Sequence, residues 1–435
     1  MLTAITRAFR TPDLRKKLLF TLGIIALFRF GSVLPTPGVH TDNVRQCLAQ
    51  ATEGDAGNIY GMVQLFSGGA LLKLSVFALG IMPYITASII LQLLTVVIPR
   101  LEALKKEGQA GTAKITQYTR YLTIGLAVLQ STAFVALART GQLFPNCREQ
   151  ILLNEDPITI ITMVIVMTAG TSVIMWLGEL ITDRGIGNGM SILIFTQVVA
   201  VFPSELMNIF RKSAWTFAAV LVVGVFMIAA VVFVEQAQRR IPVQYAKRMV
   251  GRRMYGGTST YIPLKVNQAG IIPVIFASSL LYLPQLVTTL FANTQNPNPV
   301  VQWISQNLVT GDTPVYMITF FLLIVFFTYF YVSITFNPVE VADNMKKYGG
   351  FIPGIRPGRP TAEYLNYVLT RLTAPGALYL GLISMVPIVA LAVAGASQNF
   401  PFGGTSILIM VGVGLDTVKQ IESQLQQRNY EGFLK

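Results

Sequence analysis

The sequence predicts an all-α polytopic membrane protein, with ten transmembrane helices in two inverted halves of five. Three observations lead there: a composition suited to lipid, ten long apolar runs, and a one-sided distribution of Lys and Arg. Of 435 residues, 53% are hydrophobic and only 12% are charged, whereas soluble domains carry about 25% charged residues. So little charge leaves too little polar surface to face water all round, and the solvent is lipid.

The runs are about Leu18–Leu34, Leu74–Ile98, Tyr121–Ala138, Pro157–Gly178, Ile186–Phe202, Ala214–Val234, Gly270–Leu290, Val315–Thr335, Gly376–Ala394 and Gly404–Val418. Crossing a hydrocarbon core takes roughly 20 apolar residues. The first run follows a basic head, Met1–Lys17, and lacks a small-residue cleavage site, so it reads as a retained anchor. The fifth and tenth are the weakest, with Asn188 and Asp416 near their ends.

With ten spans and the amino terminus inside, 26 of the 33 Lys and Arg residues fall on one face and 6 on the other, while Arg29 lies within the first run. Positive residues collect on the cytoplasmic side, so both termini are expected there, in the cytoplasmic membrane. Five spans per half is an odd number. The halves, 1–202 and 214–435, joined by an external hinge loop at 203–213, therefore take opposite orientations, as in inverted-repeat transport proteins. No sequence repeat between them is visible.

The stretch Leu65–Ile90 does not suit a plain anchor. It opens on Gly68-Gly69 and carries Lys73 and Pro83. A proline inside a span frees a backbone carbonyl, which is tolerable only beside protein or water.

Away from their ends the runs hold no Asp, Glu or Lys, and Arg29 reads as a snorkelling charge. Ion-coupled transporters keep ionisable groups inside the membrane, so a secondary transporter of a small solute fits poorly and remains the alternative. A poreless scaffold is a second rival, opposed only by the Gly and Pro breaks. One histidine and two cysteines remove zinc, haem and thiol–disulfide chemistry. "RGIGNG" at Arg184–Gly189 has the wrong spacing for a dinucleotide loop and follows no strand. The chain is not expected to be an enzyme.

Two loops on the basic face are too long to be mere connectors. Residues 235–266 hold seven cationic residues, three tyrosines and a Gly256-Gly257 turn able to close "RRMY" against "TSTYIPL" as a hairpin. Residues 336–371 carry Pro353, Pro357 and Pro360, which stiffen the tip. Basic loops beside a membrane obey the positive-inside rule or touch anionic lipids. Stiff, basic and aromatic ones also suit ribosomal RNA or an acidic protein face.

From about Leu14 to Leu425 the chain resembles the SecY family of protein-conducting channels. The resemblance is carried by "RFGSVLPTPG" (29–38), "FSGGALLKLSVFALGIMPYITASIILQLLTVV" (66–97), "KEGQAGTAKITQYTRY" (106–121), "MWLGELITDRGIGNGMSILIF" (175–195), "QRRIPVQYAKR" (238–248), "PLKVNQAGIIPVIFASS" (263–279) and "NPVEVADNMKKYGGFIPGIRPG" (337–358). It implies an hourglass pore that passes unfolded polypeptides and releases hydrophobic segments sideways into lipid. A SecA motor or a ribosome drives it from the two arms. SecE and SecG are the implied channel subunits, and secretory and membrane proteins are the clients.

Carried over position by position, the pore ring falls on Ile81, Ile85, Ile194, Ile275 and Ile409, with Met190 departing from isoleucine at a sixth place. Read without the family, such isoleucines face lipid or pack helices. The resemblance makes residues from Asn58 to about 72 a plug, including Gly61, Phe66, Gly68 and Gly69. It places the lateral gate at Thr86, Ser279 and Leu283, and the motor or ribosome contacts at Lys247, Arg248, Arg252, Arg253 and Arg356. Apart from the family, Cys47 and Cys147 both fall in loops that the topology puts outside, where a disulfide between them is possible. No cofactor is implied.

Overall fold

The computed structural model describes residues 9, 11–51, 69–71, 73–139, 150–154, 156–212, 214–245, 248–250, 253–255, 259–291, 299–309, 313–394 and 404–432. In the first half, α1 (Pro12–Val33) and α2 (Thr41–Ala51) lead into α3 (Met82–Val97), α4 (Pro99–Lys106), α5 (Gln109–Arg139), α6 (Pro157–Arg184) and α7 (Gly189–Lys212). The second half opens with α8 (Ala214–Gln236), then strands β1 (Gln238–Tyr245), β2 (Arg248–Val250), β3 (Arg253–Tyr255) and β4 (Ser259–Lys265). It continues with α9 (Ile272–Phe291), α10 (Pro299–Ile304), a π-turn at Ser305–Val309, α11 (Pro314–Thr335), α12 (Pro338–Lys347), β5 (Gly350–Phe351), α13 (Arg359–Ala394) and α14 (Gly404–Gly432).

Each of the ten apolar runs overlaps one of these helices: α1, α3, α5 to α9, α11, α13 or α14. Among the described residues, four stretches are long and apolar enough to cross a membrane by themselves: Gln109–Arg139, Pro157–Arg184, Pro314–Lys347 and Arg359–Val386. A fifth is the pair α3–α4, bent by 100° at its break. Pro99 in the first turn of α4 explains that break, because proline biases the residue before it away from helix, and Ile98 is extended.

The second run departs from expectation over its first third. Helix α3 starts only at Met82, and residues 73–81 form turns with Leu74 and Gly80 at positive φ (46° and 57°). This segment pairs with the end of α1 instead: Thr36 N–H donates to Leu74 O (3.0 Å), Val76 N–H donates to Leu34 O (2.9 Å), and Pro35 bridges Ser75. Backbone groups satisfied from outside need no helix. Pro83 consequently sits in the first turn of α3 and breaks nothing, since the N–H it lacks has no partner there anyway.

Two glycines make room for the wedge. A Cβ on Gly31 of α1 would meet the Phe77 ring at 2.2 Å, and one on Gly170 of α6 would stand 2.0 Å from Val76 O. Phe77 stacks on Phe28 of α1 at 5.9 Å.

The hinge expected as a loop at 203–213 is helical through Lys212, with Pro203 inside α7. Leu206, Met207, Ile209 and Phe210 keep a helical apolar spacing beyond the proline, so the pattern continues through it. Phe210 meets Phe217 of α8 edge to face at 5.3 Å, closing a tight corner between the halves.

Within the first half, α5 packs on α3 and α6, and α6 on α1 and α7. Within the second, α11 packs on α9 and α13, and α14 on α8 and α13. The halves meet along two seams: α9 against α3 and α5, and α7 against α8 and α14. The ion pairs Lys106–Glu102, Arg120–Glu179, Lys265–Asp416 and Arg359–Glu363 each join residues of one half.

A Gly170→Ala substitution is expected to cost about 1–3 kcal/mol by overpacking against backbone. It should lower the thermal unfolding midpoint of the detergent-purified protein. Gly125→Ala, where nothing lies within 4 Å of the added carbon, should leave that midpoint unchanged or raised.

Candidate functional site

The sequence marks two regions for function, one between the halves and one at the basic loops. Between the halves, local devices hold most of the expected ring positions. Ile81 is the residue preceding α3, and its carbonyl accepts the Ile85 N–H at 3.1 Å, so the first helical hydrogen bond ties the two together.

On α7, Asn188 caps the helix by accepting the Met190 N–H at 3.0 Å, and Thr182 Oγ1 accepts the Gly189 N–H at 2.9 Å. A Cβ on Gly189 would lie 1.8 Å from Gly178 O. The glycine-rich "RGIGNG" is thus a device for bringing α6 and α7 together, setting Met190 and Ile194 at their crossing. Ile275 sits in the first turn of α9, its N–H donating to Ile271 O at 3.3 Å. Gly412 of α14 leaves room for Ile271, since a Cβ there would meet its methyl at 2.8 Å.

These devices converge. Ile81, Ile85, Ile194, Ile275 and Ile409 are all buried in one apolar cluster, and the half-buried Met190 packs against it. The same cluster takes in Phe28 and Phe77, so the wedge and the ring positions share one core.

At the α3–α9 seam, Thr86 is buried and donates its hydroxyl to Met82 O at 3.0 Å within its own helix. Ser279 is buried, and its hydroxyl has no hydrogen-bond partner among the described residues. Leu283 lies on α9, but its side chain is outside the described residues. So are Asn58, Gly61, Phe66 and Gly68 of the expected plug; Gly69 is described, with φ of 80°.

The two basic loops form one platform, which was not legible in the sequence. The hairpin is not the one expected. β1 pairs with β4 from Gln238↔Lys265 to Gln244↔Ser259, while β2 and β3 make a separate short hairpin, Arg248↔Tyr255 to Val250↔Arg253. "RRMY" thus pairs with the residues before it and not with "TSTYIPL". The longer alternation of Ile241, Val243 and Tyr245 against Ile262 and Leu264 sets the stronger register.

β5 of the second loop then joins β1 through Gln244↔Phe351 and Tyr245↔Gly350. Beneath the sheet, Ile241, Val243 and Leu264 pack with Met345, Ile352 and Leu365. On top, Arg240 lies 4.9 Å from the centre of the Tyr261 ring. Of the expected contacts, Arg356 is exposed beside this platform, its carbonyl accepting from Thr361 Oγ1 at 2.9 Å. Arg248 and Arg253 lie on the β2–β3 hairpin, with side chains outside the described set, as are Lys247 and Arg252 altogether.

A buried hydrogen-bonded pair and an exposed ion pair fasten the platform to the helices. Asn267 Nδ2 donates to Glu235 Oε1 at 2.6 Å and to Gly270 O at 3.1 Å, and Lys265 pairs with Asp416 of α14 at 3.6 Å. Gly376 of α13 lets this elbow approach, since a Cβ there would stand 2.5 Å from Val266 O. In the first half, Arg120 forks onto both oxygens of Glu179 (2.9 and 2.7 Å) and reaches Gln117 at 3.0 Å, tying α5 to α6.

The shared core makes a specific demand. Leu264→Asp loses burial worth about 2–5 kcal/mol and adds a desolvated carboxyl. Limited trypsin digestion should then cut faster in both 235–266 and 336–371 while the helices stay protected. Faster cutting in the first loop alone would contradict a joint platform.

Comparison with known proteins identifies the lineage. Residues 75–418 match the SecY family model. A relative from Streptomyces galbus, named protein translocase subunit SecY, is 69% identical with 100% of both chains covered. One of the same name from Mycobacterium bovis is 61% identical over 100% of both chains. Among solved structures, a protein-conducting channel shares the fold with a TM-score of 0.63 at 19% identity, covering 94% of this chain and 91% of that one. Sec61 in the canine ribosome-channel complex does so with a TM-score of 0.60 at 18% identity, covering 94% and 91%.

Proposed function

We propose that this chain, which belongs to the SecY family, is the pore subunit of a protein translocase and moves unfolded polypeptides through a channel between its two halves. One observation carries the reading: isoleucines from α3, α7, α9 and α14, two helices of each half, converge in one apolar cluster. The protein is a multi-pass membrane protein. We assign it ten spans in two inverted halves, 1–202 and 214–435, around an hourglass pore in the cytoplasmic membrane, with both termini cytoplasmic and residues 203–213 as the hinge.

Ile81, Ile85, Met190, Ile194, Ile275 and Ile409 form the constriction. An apolar ring offers nothing to hydrate or coordinate an ion, so a narrow one dewets and blocks leakage. It also offers no fixed hydrogen bond to a passing chain, which permits clients of any sequence. Residues from Asn58 to about 72 act as the plug that closes the ring from outside. The α3–α9 seam is the lateral gate, with Thr86, Ser279 and Leu283 at its edge.

Supporting a channel over a secondary transporter, the runs lack acidic groups away from their ends, and the relatives are named translocase subunits. The energy comes from outside, from a SecA motor or a ribosome seated on the platform. The canine neighbour, found in a ribosome-channel complex, supports the ribosome. Lys247, Arg248, Arg252, Arg253 and Arg356 are the contacts. SecE and SecG complete the channel, and anionic lipids line the basic face.

Replacing Ile85 or Ile275 with Ser should raise the ion conductance of the resting channel several-fold in planar bilayers. An unchanged resting current in both variants would remove these residues from the ring. Affinity purification of the full chain from its native membrane should bring down a SecE-type subunit in near-stoichiometric amount, and its absence would contradict the assembly.

A further inference from the structure

Helix α2 carries a sulfur that the transport reading does not use. Cys47 is 0% exposed and disulfide-bonded. The sequence holds only one other cysteine, Cys147, which lies outside the described residues. We propose that Cys47 and Cys147 form an intramolecular disulfide clasping α2 to the connection between α5 and α6.

The described neighbours bring the two chain segments together. Residues 150–153 run antiparallel to 38–43: Leu153 N–H donates to Gly38 O (2.9 Å), His40 N–H donates to Ile151 O (2.8 Å), and Val39 bridges Leu152. Asn43 Nδ2 then donates to Gln150 O at 2.8 Å. The pairing therefore advances along α2 as the other segment is followed back toward 147.

Cys47 stands one helical turn beyond Asn43, about 5.4 Å along the axis. The three residues from Gln150 back to Cys147 span up to roughly 10 Å, enough to cover that step. Burial argues for the same partner. A bond to a second copy needs an accessible sulfur, and Cys47 is enclosed by Val39, Val44, Leu71, Ile151 and Leu152.

The chemistry balances in the compartment that the proposed orientation assigns to these loops. Both thiols lose their protons and together two electrons, and a disulfide-bearing oxidant of that compartment is reduced to its dithiol. The bond closes a loop of about 100 residues that includes α3, α4 and α5. It restricts the unfolded chain and ties α2 to the chain leaving α5.

The test uses the full chain in native membranes, denatured without reductant and treated with a maleimide before digestion. The expected result is a peptide pair linking Cys47 and Cys147, absent after reduction, with neither cysteine labelled. Maleimide on both cysteines, or a pair linking two copies of Cys47, would overturn the proposal. Variants Cys47→Ser, Cys147→Ser and the double substitution give a second reading. Each single change should lower the unfolding midpoint by several degrees, and the double change by no more than the larger single one; additive losses would overturn the clasp. This rests on the proposed orientation, but the peptide map does not depend on transport. An inactive channel would count against the proposed function and leave the disulfide standing.

Discussion

The apolar contact between the two halves of the chain is the constraint on which the rest of the structure depends. It gathers Ile81 and Ile85 with Ile194, Ile275 and Ile409 without a charged group among them. Packing of this kind has no direction, so it seals without fixing one geometry. Each half is braced internally by polar groups, Arg120 on Glu179 in the first, Asn267 on Glu235 and Lys265 on Asp416 in the second. These polar contacts lie within a half, whereas the cluster between the halves is apolar. Lipid matters here. Helix surfaces parted in a bilayer meet hydrocarbon and not water, so opening the α3–α9 seam forfeits packing but little hydrophobic energy.

The platform supplies a handle on that seam. Because β5 pairs with β1, a partner pressing on either basic loop presses on both. The elbow 265–271 then leads directly from β4 into α9, the helix that carries Ile275 and Ser279. Its carbonyls approach α13 too closely for any side chain at Gly376, and Asn267 is fixed from two sides. A stiff elbow of this sort is suited to pass displacement from the platform into α9.

Much of this was legible in the residues. The spans follow from length and composition, because lipid forces every backbone group to be satisfied internally and helices are the local solution. That logic fails where another segment supplies the hydrogen bonds. Leu74 to Ile81 is as apolar as a helix but pairs with residues 34–36, a long-range choice that a local pattern does not encode. Pro203 is the opposite case, a helix breaker inside a helix, since the residues after it keep a helical spacing. At the hairpin, Gly256-Gly257 is a strong local turn signal, whereas the β1–β4 register depends on the alternation of Ile241 and Val243. The ring positions came from family resemblance. An isoleucine in a span carries no mark of which way it faces, and only the assembled cluster brings the five together.

The central claim is that the halves part along α3 and α9 to pass and release polypeptide. It is tested most directly by a cysteine pair at Thr86 and Leu283, made in a Cys47→Ser, Cys147→Ser background and reconstituted into vesicles with its driving partner. Oxidation should stop an unfolded precursor from reaching the protease-protected lumen, and reduction should restore passage. A fully cross-linked channel that still transports at the reduced rate would contradict the account.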